Sequence, residues 1–414
     1  MNKSGSFIER TMPQNIAKVA LPWLVFLFTF NAVAQKVGTD SEEILEEVKE
    51  AKDSDKDSRF FAEDGDFDVS GFLDETYGFL PVAMPITEPA VGYGLGIGLA
   101  FISEPLGGNS EAGFGRPNIT MVGGMGTENG TEGAMVADIR YWFDDRVQTL
   151  AGIGDLSVNL DFYGFGENEI LAEHPLRYNL EPQLGFLQMK YRLSQSPFWL
   201  GLGYIYTDID VTFEAPPTDA NIPAFERNSV IAGALPSFTY DTRDNIFTPI
   251  SGNYIELNGG VFGPSFGGDH EFQRARLLAM HFSRLAPEWF FGARFDAVKA
   301  YNDPPFFLKP YISLRGAPAM RYQGDQTVQV EAELRWQFTD RFSAVAFAGT
   351  GQSQSDLNEN LANVLDEKKS IVTGGVGFRY EIARKYGIHM GLDIAASEDD
   401  QAIYVQVGSA WARP

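Results

Sequence analysis

The sequence predicts an all-β fold, namely a transmembrane antiparallel β-barrel of about sixteen strands. The first observation is residues 327–338, where polar and apolar side chains alternate without interruption. This alternation indicates a strand with one apolar and one polar face, as in a barrel wall between lipid and a wet lumen. The second is a secretory leader with no long apolar segment after it. The third is that short turns and long loops alternate along the chain.

Length and composition agree with a single large barrel. The chain has 414 residues, which exceeds one ordinary soluble domain. Its 43 glycines and 13% aromatic residues suit barrel strands with interfacial aromatic girdles. The formal net charge of -24 argues against nucleic acid as a partner. Because the chain has 0 cysteines, disulfides and thiolate metal sites are excluded, and we expect neither a metal nor another cofactor.

Residues 1–34 have the organisation of a signal peptide. Lys3, Arg10 and Lys18 form a basic region, residues 19–30 are apolar, and Ala32-Val33-Ala34 provides a cleavage site. The alternative is a single membrane anchor, but this apolar run is shorter than the roughly 20 residues that a spanning helix needs. A cleaved leader followed by amphipathic strands predicts a Gram-negative outer-membrane protein.

Residues 35–76 are predicted to be an acidic periplasmic linker, and residues 77–414 the outer-membrane barrel. Asp53, Asp55 and Asp57 alternate as in a calcium-binding loop. Such a loop needs glycine at its sixth position and a bidentate glutamate at its twelfth, where this chain has Ser58 and Asp64. A solvated linker therefore fits better than a calcium site.

Within residues 77–410, sixteen segments show alternating apolar and polar side chains and are separated by turn residues. Both features are typical of barrel strands. The links after even-numbered segments are mostly short and those after odd-numbered segments mostly long, although the link 103–114 breaks this rule. This asymmetry places the long loops outside the cell and the N-terminus in the periplasm. The predicted strands are 77–86, 90–102, 116–126, 132–143, 146–165, 179–193, 197–213, 228–242, 252–263, 271–286, 288–302, 326–338, 341–351, 369–382, 386–397 and 401–410.

Three prolines fall inside predicted strands, where a proline removes a ladder donor. Pro236 predicts a bulge in the eighth strand. Pro81 and Pro85 interrupt the first strand, which is expected to weaken its pairing with the last strand and so the closure of the barrel.

The turn after the eighth strand carries the first family resemblance. Tyr240-Asp241-Thr242-Arg243-Asp244-Asn245, followed by Pro249 and Gly252, resembles the DTRD…P…G turn of the bacterial surface antigen family. That family contains the BamA/TamA-type barrels of the outer-membrane assembly-factor superfamily. In physical terms, Asp241 and Asp244 can accept turn amides, Arg243 can bind one of these carboxylates, and Pro249 and Gly252 fix the backbone before the ninth strand.

Three further motifs carry the same resemblance, which covers about residues 236–411. Leu314-Arg315-Gly316 resembles the family's VRG[FY] motif and lies in the long loop between strands 11 and 12. Glu333-Leu334-Arg335 resembles its E-x-R on strand 12. Phe347-Ala348-Gly349-Thr350-Gly351 resembles its F-x-D-x-G on strand 13.

The resemblance implies that this extracellular loop folds into the lumen and that acidic residues of the inner wall hold its arginine. A guanidinium in a partly dry lumen needs a carboxylate partner, which agrees with that arrangement. The expected latch loop contains Leu314, Arg315, Gly316, Arg321 and Gly324. Its expected partner is Glu333, with Glu331 as the alternative, on an inner wall that also holds Arg335 and Gly349.

The chain departs from the family pattern at three points. Ala317 stands where the aromatic residue follows Arg-Gly, and Gly349 stands where strand 13 carries its aspartate. We also expect no periplasmic POTRA modules, with which assembly factors receive clients, because the segment before the first predicted strand is short. The expected function is to assist the insertion or translocation of protein or lipid, and the alternative is a porin-like passive channel.

The expected partners are outer-membrane lipid, lipopolysaccharide and client proteins, bound by a monomeric barrel. No enzymatic activity is expected, because the chain has 4 histidines and no G-x-S-x-G elbow. His389 and Asp393 share a strand face, but their spacing puts them about 13 Å apart at ~3.3 Å per residue, which is too far for direct contact.

Overall fold

The computed structural model describes residues 60–75, 78–102, 118–164, 171, 173–213, 228–356 and 368–411. The predicted signal peptide at residues 1–34 and the alternating aspartates Asp53, Asp55 and Asp57 lie outside these ranges. Within them, no helix is both long and apolar enough to cross a membrane.

One antiparallel sheet forms the wall of the molecule, and it contains 16 strands in strictly sequential order. A short helix, α1 (Ser70–Glu75), precedes the sheet. The predicted number and order of strands are confirmed. The strands are β1 (Gly78–Ile86), β2 (Gly94–Ile102), β3 (Ile119–Thr127), β4 (Glu132–Trp142), β5 (Val147–Phe162), β6 (Leu176–Arg192), β7 (Phe198–Phe213), β8 (Asn228–Asp241), β9 (Gly252–Phe262), β10 (Phe272–Ala286), β11 (Trp289–Tyr301), β12 (Gln326–Gln337), β13 (Phe342–Gln354), β14 (Lys368–Ala383), β15 (Ile388–Ala396) and β16 (Gln401–Val407).

The sheet curves into a nearly closed barrel with a seam between its first and last strands. Each strand from β2 to β15 pairs with both of its chain neighbours. Among the described residues, however, no ladder joins β1 to β16. The two prolines of β1 do not interrupt its pairing with β2, since Pro81 lies opposite Leu99 and Pro85 opposite Leu95. We call the gap between β1 and β16 the seam.

The two faces of the wall differ in the way that a membrane barrel requires. On β14, Val372 and Val376 are 70% and 60% exposed, whereas the intervening Thr373 is buried. On β15, Leu392 and Ile394 are exposed, whereas Asp393 between them is buried. A wall with exposed apolar and buried polar side chains has its apolar face toward lipid. On β12 most of the apolar side chains are likewise exposed and most of the polar ones buried, as the alternation in its sequence predicted.

The predicted bulge at Pro236 is wrong. The register between β8 and β9 is the same on both sides of the proline, with Ala234 opposite Val261 and Ser237 opposite Asn258. The ladder omits the two intervening pairs instead, and a side chain at Gly259 would come within 3.1 Å of Pro236 Cγ. Register shifts do occur elsewhere, between Arg284 and Ala286 and between Glu381 and Ala383.

The barrel has a turn end and a loop end. The turn end carries the links 143–146, 193–197, 242–251, 287–288, 338–341 and 384–387, and the loop end carries the link 302–325. The N-terminal residues 60–75 pack at the turn end, where Val69 and Leu73 are buried. Within the predicted linker 35–76, the described residues 60–75 form a docked segment, where a solvated one was predicted. The reason is that this acidic stretch also contains apolar side chains that can be buried, including Phe60, Phe67 and Phe72.

Candidate functional site

The candidate site is built around the long link 302–325 between β11 and β12, which we call the 302–325 loop. A bridge between Tyr311 and Gln323 holds its two arms together. The tip turns at Gly316, whose φ of 90° favours glycine. A Cβ at this position would also lie 3.2 Å from the backbone of Ala396 in β15. Glycine is therefore needed both for the turn and for the close approach to the wall.

An apolar cluster fixes the loop against the buried face of the wall. Ile312, Leu314, Ala317 and Tyr322 of the loop pack with Ile371 of β14. Two glycines of β13 leave space for this packing. A Cβ at Gly349 would lie 3.1 Å from Leu314 Cδ2, and one at Gly351 would lie 2.9 Å from Ile312 Cγ2. The glycine at position 349 thus accommodates Leu314, in addition to removing a carboxylate.

Arg315 at the loop tip contacts three carboxylates of the wall. Its Nε lies 2.7 Å from Glu331 Oε1, and its Nη1 lies 2.8 Å from Glu333 Oε2 and 2.7 Å from Asp393 Oδ2. The side chain of Arg315 is 7% exposed, and its guanidinium carbon lies 3.6 Å above the centre of the Phe347 ring. The sequence offered Glu333 and Glu331 as alternative partners, and the structure brings both to Arg315.

Asp393 of β15 is a partner of Arg315 that the sequence motifs did not predict. It also binds Arg379 of β14, with Arg379 Nη1 at 2.5 Å from Oδ1 and Nη2 at 2.9 Å from Oδ2. The second carboxylate expected from strand 13 is thus supplied by β15. The only available signal was that Asp393 shares the inward face of its strand with His389.

Arg335 lies on the same wall but outside this network. Its guanidinium carbon lies 4.5 Å from the centre of the Phe290 ring, and its Nη1 has no hydrogen-bond partner among the described residues. The structure therefore does not bring the expected E-x-R arginine to Arg315.

The C-terminal residues after β16 also reach the Arg315 network. Gly408, with φ of 77°, donates its N–H to the carbonyl of His389 at 2.6 Å, and the chain then turns away from the sheet. Trp411 is buried with Phe282, and its Nε1 donates to Glu331 Oε2 at 2.6 Å. Glu331 therefore binds Arg315 with one oxygen and Trp411 with the other. The last strand ends at Val407 and not at Ala410 as predicted, because the chain leaves the ladder at Gly408 to make this contact.

The 302–325 loop contacts elements on both sides of the seam. On the β16 side, Gly316 N–H donates to Tyr404 Oη at 3.0 Å, and Arg321 Nη2 lies 2.5 Å from Asp399 Oδ1. On the β1 side, Ala319 N–H donates to Glu88 Oε1 at 3.3 Å. Gly324, at the base of the loop, donates its N–H to the Pro310 carbonyl at 3.0 Å. The loop thus links the β15–β16 hairpin to the β1–β2 link.

The turn motif after β8 is an internally bonded structure at the turn end. Arg243 binds Asp241 in a bidentate manner, with two N–O distances of 2.9 Å. Asp244 Oδ1 accepts the amides of Ile250 at 3.0 Å and Ser251 at 3.2 Å. Gly252 has a φ of 101°, and a Cβ there would collide with the Thr242 carbonyl. Pro249 borders a small cavity that is also lined by Trp411.

A chain of contacts connects this turn to the loop. The Arg243 guanidinium carbon lies 4.5 Å from the centre of the Tyr254 ring, and Tyr254 packs in one cluster with Trp411. Trp411 then binds Glu331, the partner of Arg315. Two motifs that are separate in the sequence thus share one packed interior.

The inward histidine does not form an acid–base pair. His389 Nδ1 lies 3.1 Å from the carbonyl of Gly387, whereas the Asp393 carboxylate binds Arg315 and Arg379. In the part of the chain that the structure describes, no group of three or more His, Asp or Glu side chains is arranged so that it could hold a metal ion.

The family model of the Omp85 superfamily domain matches residues 140–385. The chain belongs to the Omp85 superfamily. The resemblance to BamA/TamA-type barrels drawn from the motifs is confirmed, and Omp85 barrels of this kind are outer-membrane proteins. A search of curated proteins found no match.

Solved structures of similar fold include BamA from Haemophilus ducreyi lacking POTRA domains 1-3. It is 13% identical, with a TM-score of 0.52, and the match covers 80% of this chain and 71% of that one. CdiB from Escherichia coli is 12% identical, with a TM-score of 0.55 over 80% of this chain and 62% of its own. CdiB from Acinetobacter baumannii is 10% identical, with a TM-score of 0.52 over 80% of this chain and 59% of its own. The Omp85 chain therefore spans about three fifths of each CdiB structure, and the likeness concerns the fold.

Proposed function

We propose that this Omp85 barrel assists the insertion or translocation of protein or lipid at the outer membrane by opening its seam. The observation that carries the proposal is the pairing pattern. Ladders join all neighbouring strands of the described wall, whereas none joins β1 to β16. An unpaired strand edge presents free N–H and C=O groups that another extended chain can pair with.

In this proposal the 302–325 loop lies in the lumen and acts as a latch on the seam. Arg315 anchors the latch, because a buried guanidinium with three carboxylate contacts is costly to release. Among the described residues, by contrast, one hydrogen bond of 3.3 Å, from Ala319 N–H to Glu88 Oε1, joins the loop to the β1–β2 link. The base of the loop packs further along the wall, where Phe306 contacts Phe162 of β5 and Tyr178 of β6. A hydrogen bond to a charged group contributes roughly 1.5–3 kcal/mol, so the β1–β2 link can separate from the loop while Arg315 stays bound.

The test is to lock the seam with a disulfide between one cysteine in β1 and one in β16. The chain has 0 cysteines, so the introduced pair is the only one present. A matched control pair at Ile394 and Ile403 crosses the β15–β16 ladder, which is already closed. We expect the locked seam, but not the control, to lose client binding and to slow the insertion of a barrel protein into liposomes. Equal activity in the oxidised and reduced seam variant would contradict the proposal.

The clients are proposed to be polypeptides or lipids of the outer membrane, with lipopolysaccharide as a surrounding lipid, and the barrel is proposed to work as a non-catalytic monomer. Pull-down from outer membranes with wild type and Arg315→Ala side by side identifies partners that depend on the latch. A set of captured proteins that is identical for the two forms would argue against the latch.

A porin-like passive channel is the alternative function. The overall charge of -24 would favour cations in such a channel. The ion pairs of Arg315 and Arg379 with buried carboxylates favour a filled interior instead. Planar-bilayer recording separates the two functions: a large, steady, ohmic conductance supports the channel, and brief flickering or no current supports the latched barrel.

A further inference from the structure

The N-terminal residues 60–75 pack against the wall on both sides of the seam. Toward the last strands, Val69 and Leu73 are 2% and 1% exposed, and they share a cluster with Ile388 of β15 and Val407 of β16. Phe72 packs against that cluster and also against a second one on the early strands, formed by Ala100, Ile119 and Ile139.

Polar contacts anchor the same segment to the turn end. The anchor is Arg341 in the β12–β13 turn, whose side chain is 1% exposed. Its Nη1 lies 2.5 Å from Asp68 Oδ2, and its Nη2 lies 2.8 Å from Asp64 Oδ2. Val69 N–H donates to the Ile382 carbonyl at 2.8 Å, and Tyr380 Oη donates to the Phe67 carbonyl at 2.5 Å. The segment is therefore held by a charge cluster in addition to apolar packing.

The docked segment is directly connected to β1, so its docking constrains the position of that strand. Helix α1 ends at Glu75 and β1 begins at Gly78, so the two are joined by a very short link. Whatever holds the segment against β14, β15 and β16 also holds β1 beside β16. The 302–325 loop links the two sides at the loop end, which leaves the turn end to be held by another element.

We infer that residues 60–75 form a clasp that keeps β1 and β16 together at the turn end, in place of a strand ladder. The clasp depends on the ion pairs of Arg341 with Asp64 and Asp68 and on the burial of Val69 and Leu73. Releasing it frees the turn end of the seam while the latch contacts at the loop end remain. The inference rests on the unpaired seam and does not require the proposed insertion activity.

The experiment measures the width of the seam directly. Leu99 of β2 and Leu392 of β15 are exposed on the outer face on opposite sides of the seam, so cysteines at these positions can carry spin labels. Double electron–electron resonance on the purified, refolded barrel then gives the distance distribution between the labels. We expect one narrow distribution in the otherwise unchanged protein, and a broader and longer one in Asp68→Lys and in Arg341→Glu. The charge-swapped double variant Asp68→Lys/Arg341→Glu should return to the narrow distribution.

The matched control is Asp66→Lys, which makes the same charge change in the same segment. Asp66 is exposed and forms no ion pair with any other described residue. Leu73→Asp tests the apolar half of the clasp independently. Heat-modifiable migration in gel electrophoresis confirms that each barrel is folded. Unchanged distributions in Asp68→Lys, Arg341→Glu and Leu73→Asp would overturn the inference, and so would equal broadening in Asp66→Lys.

A second readout follows the segment itself. A single cysteine at position 73 should react slowly with a water-soluble maleimide, because Leu73 is buried. Losing the ion pairs of Arg341 with Asp64 and Asp68 should speed labelling about tenfold or more in Arg341→Glu. Faster labelling without a change in the distance between the labels would show that the segment docks but does not hold the seam, and would overturn the inference.

Discussion

Trp411 and Arg315 bind opposite oxygens of the same carboxylate, that of Glu331. The indole Nε1 donates to Oε2 at 2.6 Å, and the Arg315 Nε lies 2.7 Å from Oε1. The C-terminal segment and the 302–325 loop are therefore coupled through one buried side chain. A substitution at either residue is expected to weaken the contact that the other residue makes with Glu331.

The first prediction concerns this shared carboxylate. Trp411→Phe keeps an aromatic ring but removes the donor to Glu331, so we expect the barrel to lose about 1–3 kcal/mol of unfolding free energy. Urea unfolding in lipid vesicles measures this loss. Trp289→Phe is the control, because Trp289 stacks on Trp336 at the exposed outer face. Equal midpoints for Trp411→Phe and the unaltered protein would contradict the coupling.

The second prediction concerns Arg315. Arg315→Ala leaves Glu331, Glu333 and Asp393 crowded in a buried site, and breaking a buried ion pair costs about 3–5 kcal/mol. We expect the loop to detach, which makes Arg321 accessible to trypsin in the folded barrel. Arg177→Ala serves as the control because its ion pair with Asp161 at 3.5 Å is largely exposed. Tryptic patterns that do not differ between Arg315→Ala and the control would contradict this role.

The third prediction concerns Gly349. Gly349→Asp, which introduces the family's aspartate, should weaken the site for two reasons. A Cβ there would lie 3.0 Å from the Val330 carbonyl oxygen and 3.1 Å from Leu314 Cδ2, and the carboxylate would join three others. Gly349→Ala isolates the steric effect, and adding Leu314→Ala should relieve the part of it that comes from Leu314. The measurement is the thermal midpoint of heat-modifiable migration. A Gly349→Asp barrel more stable than Gly349→Ala would mean that Arg315 can use a further carboxylate.

The fourth prediction is a pH dependence of the clasp. Burial raises the pKa of Asp68, but hydrogen bonds from Ser70 and Arg341 lower it further, and the net shift is downward. A carboxylate whose pKa is lower in the folded state contributes stability above its unfolded pKa of about 3.9. That contribution is lost as the pH falls through the lowered folded pKa. The distance between labels at Leu99 and Leu392 should therefore lengthen below about pH 4.

The double variant Asp64→Asn/Asp68→Asn provides the reference for this titration. It should show the long, broad distance distribution already at neutral pH, with little change on acidification. A pH response of the double variant as large as that of the parent protein would assign the effect to other carboxylates.

The wall was predictable from the sequence because its information is local. Each strand crosses between lipid and lumen, so each carries its own alternating pattern, and β12 was predicted within one residue of its observed end. Arg315 and its two glutamates were also predictable, because they belong to motifs with fixed spacing. The structure adds Asp393 and Trp411, which lie 78 and 96 positions further along the chain than Arg315 and reach it only through the curvature of the sheet.

The remaining differences have physical reasons. A proline in a strand can be accommodated by a bulge or by omitted ladder pairs. Which of the two occurs depends on the neighbouring strand, where Gly259 lies beside Pro236. The docking of residues 60–75 depends on Arg341, which lies 277 positions from Asp64. The composition of the segment shows that it is acidic, but it does not indicate that Arg341 is the residue it binds.

The strictly sequential strand order has a consequence for how the molecule folds. Every ladder joins neighbours in the chain, so the wall has low contact order and can grow one hairpin at a time. The step that would normally bring the two ends of the chain together as strands is absent from the described sheet. Ring closure falls instead to side chains such as Arg341 and Asp64. The entropic cost of closing a loop rises by only about 0.6 kcal/mol per doubling of its length. Contacts between residues 277 positions apart, such as Arg341 and Asp64, can therefore form after the wall and remain stable.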